Sequence, residues 1–72
     1  MLYCLECRYR ASDGDFNRPV TDSMVDLKVY MARELAQEAL PDFKERMTER
    51  LKIIYGKRWR VTTSFNILAM DL

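Results

Sequence analysis

The sequence predicts an α+β fold in the order strand, helix, helix, strand, with two α-helices packed on a small antiparallel sheet. Three observations support this: alternating apolar and polar residues at the N-terminus, the same alternation at the C-terminus, and two helix-spaced segments between them. The chain has 72 residues, so we expect a single domain, 1–72. Two strands alone make a marginal sheet, and pairing with a second copy is expected to complete it.

The first strand is predicted from Met1 to Ala11. The odd positions in this range are apolar or aromatic, whereas Glu6, Arg8 and Arg10 are charged. Because successive strand residues point to opposite faces, this pattern gives one apolar face for a core and one polar face.

The segment from Ser12 to Thr21 is predicted to be a loop. The Asp13-Gly14 pair is a turn signal, and Pro19 is unfavourable in a central strand. An alternative is that residues 15–18 pair back on the first strand as a short hairpin.

Two helices are predicted in the middle of the chain. The first runs from about Met24 to Leu40, after the capping side chains at positions 21–23, and ends at Pro41. The second runs from about Asp42 to Tyr55. We expect a capping box formed by Asp42 and Glu45 at its start. We expect Gly56 to be the first residue after its end.

The last strand repeats the pattern of the first. Odd positions from Trp59 to Ile67 are mainly apolar, and even positions from Arg60 to Asn66 are polar. A break near Thr63-Ser64 would divide this strand.

Cys4 and Cys7 have the spacing of a CxxC motif. The chain has no histidine and no third cysteine, so a zinc ion would have to be shared between two copies. A redox pair normally lies at a helix start, whereas these residues lie in a strand pattern. We therefore expect two reduced thiols, with Cys7 in the core, and no cofactor or metal.

Composition argues against catalysis. Without histidine, a general base would have to be a carboxylate or a lysine with a shifted pKa, in a pocket that a short chain can hardly enclose. No apolar run is long enough to span a membrane, and the formal net charge is +1. These features predict a small, soluble, cytoplasmic protein that is not an enzyme.

Charge is distributed unevenly along the chain. Residues 1–42 hold five basic and eight acidic side chains, and residues 43–72 hold seven and three. Cationic side chains neutralise phosphates, and aromatic rings stack on unpaired bases. One functional hypothesis is therefore nucleic-acid binding by the basic-aromatic stretch, whose members are Arg50, Lys52, Lys57, Arg58, Trp59 and Arg60. The alternative is that Trp59 fills the core and that the charges are solvated.

The end of the chain carries the preferred functional hypothesis. Its apolar residues occur at both odd and even positions, so both faces of the strand are apolar. One of these faces should be covered by another molecule. This pattern predicts a non-catalytic protein-interaction module, a dimeric regulator or inhibitor of a macromolecular partner. The predicted partner-binding residues are Ile67, Leu68, Met70 and Leu72.

Overall fold

The structure, a computed structural model, describes residues 1–13 and 18–71. Its elements in chain order are β1 (Leu2–Ser12), β2 (Val20–Tyr30), α1 (Arg33–Tyr55) and β3 (Arg60–Met70). The fold is a small α+β fold, but the predicted order with two helices is wrong: the described elements are three strands and one helix. The strands predicted at both ends are confirmed.

The three strands form an antiparallel sheet in the order β2-β1-β3. The ladder between β1 and β3 is regular from Leu2↔Met70 to Ser12↔Arg60, so β3 has no break. Between β1 and β2 the register shifts at Cys4/Glu6, which marks a bulge. Most of the alternative hairpin at residues 15–18 lies outside the described residues, and Arg18 is not in a strand.

The region predicted to begin the first helix is strand β2. Val25, Leu27 and Val29 alternate with Asp26 and Lys28, which is the period-two pattern of a strand. β-branched residues are common in this segment, and they favour a pleated surface over a helix. The predicted caps at positions 21–23 are therefore strand residues.

α1 continues through Pro41, where the sequence predicted a helix boundary. The reason is that one apolar stripe packs on the sheet along the whole helix, and its buried members are Ala36, Phe43, Met47 and Leu51. Pro41 is on the exposed side. Proline has no N–H, so the carbonyl of Gln37, four residues earlier, has no hydrogen-bond partner in the helix. Gln37 is also exposed, so water can hydrate this carbonyl. Asp42 is thus an interior helix residue, and it bonds to Arg46 at 3.0 Å.

The helix ends where the sequence predicts. Tyr55 is its last residue, and Gly56 has φ 68°. The Gly56 N–H donates a 2.9 Å hydrogen bond to the Lys52 carbonyl. A positive φ is easily adopted by glycine, so this part of the prediction is confirmed.

The core lies between α1 and one face of the sheet. Phe43, Leu5 and Cys7 are its largest fully buried side chains. The rings of Phe43 and Phe65 meet edge to face at 6.1 Å, which joins the helix to β3. The smallest dimension is 15 Å, which corresponds to one helix layer on one sheet layer. Within the described residues, no helix is long and apolar enough to cross a membrane.

Candidate functional site

The face of the sheet opposite α1 is the candidate site, and we call it the open face. Residues paired across a ladder share a face of the sheet. Leu5 and Ile67 pair on the helix side and belong to the core. Cys4, which lies next to Leu5 in β1, therefore points to the open face, together with its partners Val29 and Leu68.

One end of the open face is apolar, and we call it the apolar half. Its members are Leu2, Cys4, Val25, Val29, Leu68 and Met70. Cys4 is only 3% exposed because strands flank it on both sides, whereas Val25 and Val29 on the edge strand are about half exposed. A set of apolar side chains this close together on an uncovered face is typical of a binding surface.

Glu6 marks the boundary of the apolar half. It is 6% exposed, and its carboxylate accepts hydrogen bonds from Arg8 Nε at 3.0 Å and from Asn66 Nδ2 at 3.3 Å. Because a buried charge is costly unless it is paired, these two bonds make the buried carboxylate tolerable.

The other end of the open face is cationic and hydroxyl-rich, and we call it the basic half. Its arginines are Arg8, Arg10 and Arg60, and between them lie Ser12, Thr21, Ser23, Thr62 and Ser64. A depression of about 200 Å³ is lined by Arg10, Ser12, Arg60 and Thr62. A neighbouring depression of about 360 Å³ is lined by Ser12, Asp13, Arg58 and Arg60.

The bulge in β2 shapes the edge of the open face. Asp26 Oδ2 lies 3.3 Å from Arg46 Nη2 on the helix side, and Asp26 Oδ1 accepts a 3.4 Å hydrogen bond from the Lys28 N–H. These contacts hold the carboxylate toward α1. Leu27, between Asp26 and Lys28, is fully exposed. A bulge on an edge strand interrupts pairing with other strands and leaves side chains available for contact.

The predicted partner-binding residues divide between the two faces of β3. Ile67 packs against the core on the helix side. Leu68 and Met70 lie in the apolar half, paired with Cys4 and Leu2. Leu72 lies outside the described residues. The structure thus places two of the four on the open face.

The structure brings the predicted nucleic-acid residues together only in pairs: Lys52 and Trp59 line one depression, and Arg58 and Arg60 line another. Arg50 and Lys52 are on α1, and Lys52 pairs with Glu49 at 3.6 Å. Lys57 and Arg58 lie in the turn after the helix. Trp59 is half-buried with its ring 5.3 Å from that of Tyr55, which agrees better with a packing role than with base stacking. Arg60 belongs to the open face.

The two cysteines lie on opposite faces of β1, as the strand pattern predicts, and both are free thiols. Cys7 is fully buried in the core, which confirms its predicted position. Burial, and secondarily the charge of Glu6, raises the pKa of the Cys7 thiol above its usual value. A raised pKa disfavours the thiolate, which is the nucleophilic and metal-binding form.

The sequence analysis does not predict the part of the open face that β2 contributes. The sequence identifies Arg8 and Arg10 as the polar side of a strand but does not connect them to Arg60. The first predicted helix includes Val25 and Val29. The alternation of Val25, Leu27 and Val29 with Asp26 and Lys28 is the signal for a strand here, but helical spacing competes with it.

Comparison of this chain with protein-family models, with curated proteins and with solved structures finds no match in any of the three.

Proposed function

We propose that this protein is a non-catalytic protein-interaction module that forms a homodimer through the apolar half of the open face and regulates or inhibits a macromolecular partner. The observation that supports it is the apolar half itself. Leu68, Val29 and Val25 surround the buried Cys4 on a sheet face that no described residue of the chain covers.

The surface area of the chain is larger than that of a compact monomer of its mass. The accessible surface is 5653 Å², whereas a compact monomer of 8.6 kDa exposes about 4,700 Å². The excess, about 950 Å², reflects an elongated shape with extents of 43 × 21 × 15 Å. It leaves room for a standard interface, in which each partner buries roughly 800 Å². The radius of gyration, 13.9 Å, also exceeds the roughly 11 Å expected for a compact domain of this length.

A second copy is the occupant that we favour. A two-fold axis through the apolar half would bring Leu68 and Val29 of one copy against the same patch of the other, and such isologous contacts are the commonest in homodimers. Glu6, the buried charge at the boundary, already has Arg8 and Asn66 as partners. Self-association would therefore bury no unpaired carboxylate at this position.

Sedimentation analysis over a wide concentration range tests the dimer. We expect the natural chain to sediment at twice its 8.6 kDa monomer mass. We expect Leu68→Glu to be a folded monomer, because a carboxylate would enter the apolar contact. Val29→Lys, at a half-exposed position of the edge strand, is a second variant in case Leu68→Glu does not fold.

Ile53→Glu is the matched control, because Ile53 is a large apolar residue, 83% exposed on the outer side of α1. It should remain dimeric. A natural chain that is monomeric at every concentration contradicts the proposal, and so do folded Leu68→Glu and Val29→Lys variants that still dimerise.

A further inference from the structure

The basic half of the open face is a second surface with a different chemistry. Arg10 lies diagonally across the β1–β3 ladder from Arg60, because Arg10 pairs with Thr62 and Ser12 pairs with Arg60. Diagonal neighbours in such a ladder are roughly 7 Å apart. Within residues 1–13 and 18–71, neither arginine forms an ion pair. Two neighbouring cations repel each other, and a bound anion between them would relieve the repulsion.

The shape of this region fits a tetrahedral anion. Arg10 and Arg60 line the depression of about 200 Å³ together with the hydroxyl residues Ser12 and Thr62. Arginine forks bind phosphate oxygens in pairs, and serine and threonine hydroxyls are common additional donors to phosphate. Asp13, a carboxylate near this end, lines the neighbouring depression rather than this one.

The cations continue along the face, which favours a ligand with repeated phosphates. Arg8 lies two residues from Arg10 on the same face, at a spacing of about 6.7 Å along the strand. Its bond to Glu6 uses only Nε, and its side chain is 69% exposed. Arg58 lines the depression beside Arg60. A polymer with regularly spaced phosphates can contact several of these side chains at once.

We propose that the basic half binds the phosphodiester backbone of double-stranded nucleic acid without reading its sequence. Single-strand binding surfaces stack bases on exposed aromatic rings. The described residues of the open face include no aromatic side chain, and Trp59 packs against Tyr55 instead. The remaining binding mode is contact of arginine and hydroxyl groups with the phosphodiester backbone. This mode suits a duplex, whose bases are already stacked on one another.

This inference names a partner for the interaction module and so rests on the proposed function, but the two fail in different measurements. Dimer formation is read by sedimentation, and duplex binding is read by the fluorescence anisotropy of a labelled DNA duplex of mixed sequence. A monomer that binds the duplex contradicts the dimer alone, and a dimer that does not bind contradicts this inference alone.

The central experiment measures duplex affinity at several salt concentrations. Each phosphate contact contributes about 0.9 to the slope of log affinity against log salt. We therefore expect the double variant Arg10→Gln, Arg60→Gln to bind at least about tenfold more weakly at low salt, with a slope flatter by about 2. The variant Arg10→Lys, Arg60→Lys keeps both charges, and it should keep most of the slope while losing affinity.

The matched control is Arg33→Gln with Arg50→Gln, which removes the same charge from two positions of α1. Its affinity should change by less than about threefold if the contact is on the sheet face. Three results would overturn the proposal: no duplex binding by the natural chain at low salt, tighter binding of the corresponding single strand, or an equal loss in the control. Circular dichroism of each variant checks that the fold is retained.

Discussion

Asn66 donates a 3.3 Å hydrogen bond from Nδ2 to the carboxylate of Glu6, and this bond joins β3 to β1 at the middle of the open face. Arg8 contacts the same carboxylate oxygen through Nε at 3.0 Å. The two donors lie on different strands and converge on one nearly buried charge. The contact therefore fixes the point at which the apolar half of the face gives way to the basic half.

Substitution of Glu6 should be destabilising in proportion to the hydrogen bonds lost. Glu6→Ala removes the acceptor for both Asn66 and Arg8, and we expect a loss of about 1–3 kcal/mol in the free energy of unfolding. Glu6→Gln keeps an acceptor oxygen for Asn66, so its loss should be about 1 kcal/mol or less. Urea denaturation measures both values, and equal losses in the two variants would contradict the role given to the Asn66 bond.

Phe43 should be the most sensitive position of α1. Its side chain is 1% exposed and meets Phe65 edge to face. We expect Phe43→Ala to cost about 3–5 kcal/mol, enough to unfold much of a domain this small. Ile53→Ala, on the exposed side of the same helix, should change stability by less than about 0.5 kcal/mol. Denaturant midpoints of the two variants provide the comparison, and similar values would contradict the assignment of the buried stripe.

The end strands could be predicted from sequence because their alternation is unambiguous. In β1, charged residues occupy Glu6, Arg8 and Arg10 and no odd position. The same parity recurs in β3. The helix end predicted at Gly56 is also correct. A strict period of two, or a glycine after a helical stretch, admits few other structures.

β2 could not be placed in the same way because its pattern is compatible with two periods. Met24, Leu27 and Met31 have helical spacing, but Val25, Leu27 and Val29 have strand spacing. The choice between helix and strand depends on β1, which is the central strand of the sheet and needs a partner strand on each side. The open face is not predicted for the same reason, because two of its six apolar members, Val25 and Val29, are on β2.

Alkaline pH should destabilise the protein through Tyr9. A side-chain hydrogen bond with Tyr55, and then burial, raises the pKa of Tyr9 to about 12 from its usual 10.0. The folded state therefore holds the phenol proton more tightly than the unfolded state. This contribution to stability is complete below pH 10 and is lost as the pH rises toward 12.

Tyr9→Phe should flatten the fall in stability over that range, measured as denaturant midpoints against pH. Cys7, whose pKa is also raised, adds a loss that begins at lower pH and persists in this variant. Tyr30→Phe removes a phenol outside the Tyr9–Tyr55 pair and serves as the control. If both variants retain the natural pH profile, the Tyr9–Tyr55 hydrogen bond is not its source.

Pro41 should limit the stability of α1 even though the helix continues through it. A proline inside a helix removes one backbone hydrogen bond and costs about 3 kcal/mol relative to alanine. Part of that cost is offset because proline restricts the unfolded chain by about 0.4–1 kcal/mol. Since Pro41 is exposed and contributes nothing to the buried stripe, Pro41→Ala should stabilise the protein by about 1–3 kcal/mol.

Hydrogen exchange measures where in α1 the stability gained by Pro41→Ala arises. Protection should rise for amides of the turns on either side of residue 41, since the helix then opens as one unit. Glu38→Gly, three residues earlier on the exposed side of the same helix, should destabilise by about 1 kcal/mol and tests whether this part of α1 responds to helix propensity. A Pro41→Ala variant less stable than the natural chain would mean that a bend at Pro41 is needed for the two ends of the stripe to reach the sheet together.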